Sequence, residues 1–300
     1  MRWLPVCVGV LALACAGHEA GARAASTTST AAPRTEPVEA EASPDPEPEP
    51  TIEEEAVAVT PEPEPAPDPV ATLMAMDGSE STSIGGPNDG RIEGAIALPA
   101  SGPGFRSNPR RPNETAIYGT VEMIQALVDA ARVVHEALPG GELTINDVGL
   151  PEGGPIPHHG SHRAGRDVDV LFYLIDRNGD PMPSVGAFLD PRGRGFDFRE
   201  LDDPRDDHLV RIDLPRTWRF VQALLEGPHA DEVQRIFVVE HLRTLLLNHA
   251  ERARVPRAIR DRFAELTCQP SYPHDDHLHI RFYCTAEDMA GGCEDSAPTY

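Results

Sequence analysis

The chain has 300 residues, with 26 Lys plus Arg against 49 Asp plus Glu, a formal net charge of −23 at pH 7, 31 prolines and five cysteines. Its length leaves room for two ordinary domains, but acid and proline are concentrated in one stretch, which points to a single folded domain behind a tether. Net acidity argues against nucleic-acid binding, because phosphate recognition needs a basic patch; every basic residue is Arg, and the chain contains no Lys.

Residues 1–14 begin with Arg2 and continue as an apolar run from Leu4, too short to span a bilayer and shaped like a secretory signal. The run Leu11-Ala-Leu-Ala-Cys15 sets small residues before a cysteine and resembles a bacterial lipoprotein cleavage site. The expectation is a diacylated Cys15 that anchors the chain to a membrane, with cleavage near Ala22-Arg-Ala24 as the alternative. Residues 15–87 read as a disordered linker. Between positions 35 and 90 lie fifteen Asp plus Glu and no Lys or Arg, and proline takes nearly every second place in 44–50 and 61–69. Such a segment cannot build a core and is expected to be a solvated, extended tether.

The folded domain is expected over residues 88–300. Val121, Ile124, Leu127, Val128, Ala131 and Val134 recur at helical spacing, and Pro139-Gly140-Gly141 stops the run, which predicts an amphipathic helix over 120–138. A short strand is expected over 143–148. Next comes His159-Gly-Ser-His162-Arg-Ala-Gly165-Arg-Asp167-Val-Asp169, two histidines and two carboxylates within eleven positions. The alternation of Val168, Val170, Phe172 and Leu174 predicts a strand that turns Asp167 and Asp169 to the opposite face. His162 then sits in the turn that feeds the strand, and Gly165 lets that turn fold tightly. Asp176-Arg-Asn178-Gly179-Asp180 carries a hairpin-turn signal and lacks the glutamate that would close a calcium loop.

Residues 196–208 form a polar excursion with Asp202, Asp203, Asp206, Asp207 and His208, read as a solvated loop or one that faces substrate. Helices are expected over 214–226, 241–252 and 256–266, with a strand over 235–239. The last strand opens His274-Asp-Asp276-His277-Leu-His279-Ile-Arg281. At period 2, His277, His279 and Arg281 point one way and Leu278, Ile280 and Phe282 the other. Strands and helices alternate without a βαβ rhythm, which predicts an α+β domain: a mostly antiparallel central sheet flanked by helices, with the site on its open face. Imidazole nitrogens with a carboxylate oxygen suit Zn²⁺, and three protein ligands with one open position is the catalytic pattern. Periodicity alone leaves Asp167 and Asp169 equivalent.

The pair SHRAGRDVDV and HDDHLHIR resembles the His-x6-Asp and His-x-His signatures of zinc peptidases that include lysostaphin-type enzymes and D-alanyl-D-alanine carboxypeptidases. It is most similar to the penicillin-insensitive murein endopeptidases, and the likeness runs on through NDGRIEGAIALP, INDVGLPEGG and VQRIFVVE. The resemblance implies one zinc held by His162, Asp169 and His279, with Asp167 behind the ligands or capping the turn. His159 matches a further histidine of the motif, as ligand or as substrate contact; His158 is placed more weakly. A second metal is left open. No His-Glu-x-x-His glutamate is present to take a proton, so His277 is the expected general base or oxyanion stabiliser, with Asp276 or His274 holding its tautomer.

The implied activity is hydrolysis of D-alanyl to diaminopimelyl cross-links in peptidoglycan, in the periplasm or cell envelope. A D,D-carboxypeptidase and a non-catalytic, zinc-containing cell-wall-binding domain are the alternatives. Cys7 leaves with the signal and Cys15 would carry lipid. Among Cys268, Cys284 and Cys293, likeness to the family favours a Cys284–Cys293 disulfide over Cys268–Cys284.

Overall fold

The computed structural model describes residues 67–197, 205 and 207–296. The signal, Cys15 and most of the acidic tether lie outside the described residues, as do Asp202, Asp203 and Asp206. None of the described helices is long and apolar enough to cross a membrane.

A seven-stranded sheet runs in the order Thr267–Cys268, Val233–Phe237, His277–Phe282, Asp167–Leu171, Leu143–Ile145, Phe105–Ser107, Ser101–Gly102. Four of its six pairings are antiparallel; the outer pairs Val233–Phe237 with Thr267–Cys268 and Phe105–Ser107 with Leu143–Ile145 are parallel. The sheet is therefore mixed, because helical crossovers deliver a strand at each flank. One crossover is α2 (Val121–Ala137), which leads to Leu143–Ile145, and the other carries α4 (Glu240–Arg252) and α5 (Arg257–Leu266). α3 (Leu214–Glu226) sits between α2 and α4, and Trp218 meets Phe263 of α5 edge-on at 5.1 Å. Val168, Val170, Leu278, Ile280 and Phe282 bury one face of the two central strands in the same core as Met123, Leu127 and Phe220.

Besides the strand expected over 143–148, which ends at Ile145, three boundaries differ from the sequence reading. First, the domain begins before residue 88. α1 (Pro69–Met74) is capped by Asp68, whose Oδ1 accepts from Val70 N–H at 2.9 Å, and Pro69 supplies the fixed φ of a first helical residue. Gln125 of α2 donates its amide to Leu73 O (2.9 Å) and Met76 O (3.0 Å), and Leu73 is buried. Six residues are too few to hold a helix alone; the tertiary contact makes it. Second, the strand that opens at Asp167 ends at Leu171 instead of running on to Leu174. Leu174–Ile175 belongs to a separate four-stranded sheet, where it pairs with Pro181–Met182 and His208–Ile212. The turn joining Ile175 to Pro181 is the expected hairpin turn, with Asp176 Oδ1 accepting from Asn178 and Asp180 N–H. Third, Val233–Phe237 starts two residues earlier than the predicted 235.

The C-terminal segment is bound back to the centre. Cys284 and Cys293 form a disulfide. Arg166, fully buried, donates from Nε to Ser83 Oγ (2.9 Å), from one terminal nitrogen to Phe282 O (2.8 Å) and Asp295 Oδ1 (3.2 Å), and from the other to Glu294 O (3.0 Å). It thereby clamps residues 83, 282 and 294–295 beside the entrance to the Asp167 strand, and its loss orphans buried acceptors. Arg166→Met should lower folding stability by about 2–4 kcal/mol, read as a fall in the urea midpoint at unchanged slope. A midpoint equal to that of the wild type would show that the clamp is dispensable.

Candidate metal centre

The pairing of the two central strands sets His279 opposite Asp169, Arg281 opposite Asp167 and His277 opposite Leu171. One face of this ribbon is apolar and buried in the core, so the other face must carry every polar side chain that alternation puts there. Asp167 and Asp169 are 0% and 1% exposed, which leaves two carboxylates inside the protein in need of partners.

His162 reaches this face from the preceding turn. Its backbone lies in the left-handed region (φ 66°), uncommon for a residue with a Cβ, and is held there by its N–H donating to Asp167 Oδ2 at 3.2 Å. Gly165 closes the same turn at φ 72°, where a Cβ would come within 2.3 Å of Ile92 Cδ1. Because a carbonyl only accepts, the 2.7 Å contact between His162 Nδ1 and Val148 O puts a proton on Nδ1, so that in the neutral ring Nε2 is the bare lone pair. His279 is fixed by the converse pairing: Nε2–H donates to Asp167 Oδ1 at 2.9 Å, leaving Nδ1 bare. The same Asp167 oxygen accepts from Arg281 Nε at 2.6 Å. Asp167 thus holds His279, Arg281 and the backbone of His162 together.

The bare atoms converge. Asp169 Oδ1 lies 3.3 Å from His162 Nε2, 3.1 Å from His279 Nδ1 and 3.3 Å from His277 Nε2. Yet neither Asp169 Oδ1 nor His162 Nε2 makes a hydrogen bond, although both are buried. Acceptor atoms aimed at a common point without a donor are a costly arrangement unless protons or a cation occupy that point. With imidazole nitrogens and one carboxylate as donors, the group fits Zn²⁺. His159, His162 and Asp169 form one set of candidate ligands, and His274, His277 and His279 another, with the donor atoms of each set within 4.8 Å of one another.

The remaining histidines differ in their surroundings. His277 donates from Nδ1 to Asp276 Oδ1 at 2.6 Å, and its side chain is 17% exposed against 7% for that of His279. His274 donates to Tyr272 O at 2.9 Å, and its ring stands 4.8 Å from that of His277. Burial first, and then the charges of His277 and His279, push the His274 pKa down to about 4, so it is neutral near pH 7. Burial opposes charge on His162, but Asp169 and Asp167 outweigh it and hold its pKa up at about 9 without a metal. His277 is shifted upward in the same way, with Asp169 and Asp276 outweighing burial, while the two imidazoles keep the Asp169 carboxyl well below the usual range against its burial. A divalent cation reaching the site therefore displaces protons.

His159 is joined to the cluster: Nε2 lies 3.1 Å from Asp147 Oδ2, Nδ1 lies 3.6 Å from Asp169 Oδ2, and its ring is 4.5 Å from that of His162. His158 is exposed, with a left-handed backbone (φ 69°). From the polar excursion, Asp207 and His208 line a shallow cleft with Asp176, Asn178 and Met182 on the four-stranded sheet. Sequence reasoning passed over two residues of the centre. Phe237 packs edge-on against His279 at 5.1 Å and lies under the Arg281 guanidinium. Asp147 pairs with His159; its signals were the polar Asn146-Asp147 after a buried strand and its place in the INDVGLPEGG likeness.

The comparisons agree with this geometry. The chain matches the family described as penicillin-insensitive murein endopeptidase over residues 83–300, which include every member of the cluster. Relatives that carry that name include a protein of Klebsiella pneumoniae subsp. pneumoniae, 29% identical over 228 residues that cover 74% of this chain and 72% of the relative. A Haemophilus influenzae protein is 30% identical over 224 residues (73% and 68%), and one from Citrobacter koseri 27% identical over 220 (71% and 69%). With more than two thirds of its length matched and a donor cluster suited to a metallopeptidase, the chain belongs to the penicillin-insensitive murein endopeptidase family and is a peptidase.

Proposed function

We propose that the protein is a zinc-dependent D,D-endopeptidase that hydrolyses D-alanyl to diaminopimelyl cross-links of peptidoglycan in the cell envelope. The observation that carries this reading is the convergence of His162 Nε2 and Asp169 Oδ1, both buried without a hydrogen-bond partner, with His279 Nδ1, beside a more open His277. His162, Asp169 and His279 would hold the zinc, with His159 as the neighbouring donor. When bound, zinc supplies Lewis acidity that polarises the scissile amide and acidifies the attacking water.

The protein's own part is proton handling and orientation. With Nδ1–H committed to Asp276, His277 presents Nε2 to the site. There it can take the proton of the attacking water and return it to the leaving amine. Asp276 keeps this tautomer and stabilises the charged imidazolium between the two transfers. Asp167 holds the His279 ring in place, so that the metal side and the proton side of the site sit on alternate residues of one strand. No Ser-x-x-Lys nucleophile exists in a chain without lysine, so a β-lactam has no acylation target of that kind. An anchor at Cys15 and the acidic tether behind it would let the domain reach the wall from a membrane; at about 3 Å per residue, the roughly fifty residues between Cys15 and Asp68 could reach on the order of 150 Å.

Incubated with intact sacculi, the purified protein should convert cross-linked dimeric muropeptides to monomers, in the presence of a penicillin but not of a zinc chelator, as read by mass spectrometry. Released terminal D-alanine with dimers left uncut would make it a carboxypeptidase instead, and bound sacculi without any product would make it a binding module. The two histidines of the last strand should also separate. His279→Ala, His162→Ala and Asp169→Ala should lose zinc and activity together, whereas His277→Ala should keep close to one zinc per chain and lose about 10²- to 10⁴-fold in turnover. A zinc-free or fully active His277→Ala would mean that these roles are wrongly assigned.

A further inference from the structure

Asp147 is a buried carboxylate, 4% exposed, that the reaction outlined above does not use. It follows the Leu143–Ile145 strand, and the chain around it is tied to Asp169 itself: Asp169 N–H donates to Asp147 O at 2.9 Å, and Asn146 N–H to Asp169 O at 2.8 Å. Its position is thus fixed relative to the centre by backbone geometry. Oδ2 accepts from His159 Nε2–H at 3.1 Å and from Asn146 Nδ2–H at 3.3 Å, and Asn146 is held in turn by Asn108 Nδ2–H at 2.8 Å. Oδ1 is buried without a hydrogen-bond partner. The nearby Arg111, 6% exposed and bonded to Ala116 O and Ile145 O, supplies a compensating positive charge.

A carboxylate can only accept, so the pairing places the His159 proton on Nε2 and turns Nδ1, as a lone pair, toward Asp169. The 3.6 Å from Nδ1 to Asp169 Oδ2 is too long for a hydrogen bond, so this contact does not hold the ring; Asp147 does. The arrangement repeats, for a residue outside the central strands, the way Asp167 fixes His279. We propose that Asp147 is a positioning residue that holds His159 in the Nε2–H tautomer, with Nδ1 presented as an additional nitrogen donor to a cation on His162, Asp169 and His279. The inference rests on the zinc reading of that site. A merely structural Asp147, fastening the loop at residues 158–160, would affect folding and leave zinc affinity untouched.

The test is zinc affinity of the full chain, measured by competition with a chromophoric chelator, with urea unfolding alongside. Asp147→Ala should bind zinc about 10- to 100-fold more weakly than wild type, the usual cost of losing a group that orients a metal ligand. His159→Ala should lose a similar factor, and the double variant should be no weaker than His159→Ala, because both changes remove one device. Asp147→Asn, whose amide oxygen still accepts from Nε2–H, should fall between Asp147→Ala and wild type. It also serves as the measured variant, alone and with His159→Ala, if Asp147→Ala does not fold. Wild-type affinity in a folded Asp147→Ala or Asp147→Asn, or losses that add in the double variant, would overturn the proposal. A wild-type chain that binds no zinc would instead sink the zinc reading, and this inference with it.

Discussion

The antiparallel pairing of Asp167–Leu171 with His277–Phe282 decides where almost every polar group of the centre goes. Side chains alternate along each strand, so one register sends Val168, Val170, Leu278 and Ile280 into the core and Asp167, Asp169, His277, His279 and Arg281 to the other face. A slip by one residue would bury the charged set in the apolar core, which is why the register is strongly specified. The hydrophobic effect that folds the sheet thereby also assembles the site.

Two carboxylates side by side in the interior would be untenable alone, and their environments resolve the conflict differently. Asp167 is saturated: His279, Arg281 and the His162 backbone all donate to it, so its charge is spent on orientation. Asp169 keeps one oxygen free of hydrogen bonds amid imidazole nitrogens, so its charge remains available to a cation. Burial and periodicity make the two residues alike, and their partners make them different. The left-handed backbone of His162 belongs to the same arrangement, a conformation of some cost that survives because Asp167, Val148 and Gly165 over-determine it.

Much of this was legible in the sequence. Period 2 put His277, His279 and Arg281 on one face, helical spacing located α2, and the choice of Asp169 over Asp167 as a ligand came from likeness to a family. What was not legible depends on contacts distant in sequence. α1 exists because Gln125 and the core hold it, against a local composition that reads as tether. Arg166 looks like any exposed arginine until Ser83, Phe282 and Glu294 close around it. Asp147 lies within the INDVGLPEGG likeness without a role assigned to it there, and becomes part of the centre only when its strand is laid beside Asp169. The parallel flanks of the sheet were missed for a related reason: strand direction is set by which crossover packs, and short strand patterns do not encode it.

The central claim is that the bare atoms of His162, Asp169 and His279 hold a zinc ion. Anomalous diffraction collected above and below the zinc absorption edge, on crystals of the zinc-loaded protein, tests it most directly. One strong anomalous peak is expected about 2.0–2.2 Å from His162 Nε2, His279 Nδ1 and an Asp169 oxygen, with His277 outside bonding distance. A peak bounded by His274 and His277 that leaves His162 uncoordinated, or no peak between these residues, would contradict it.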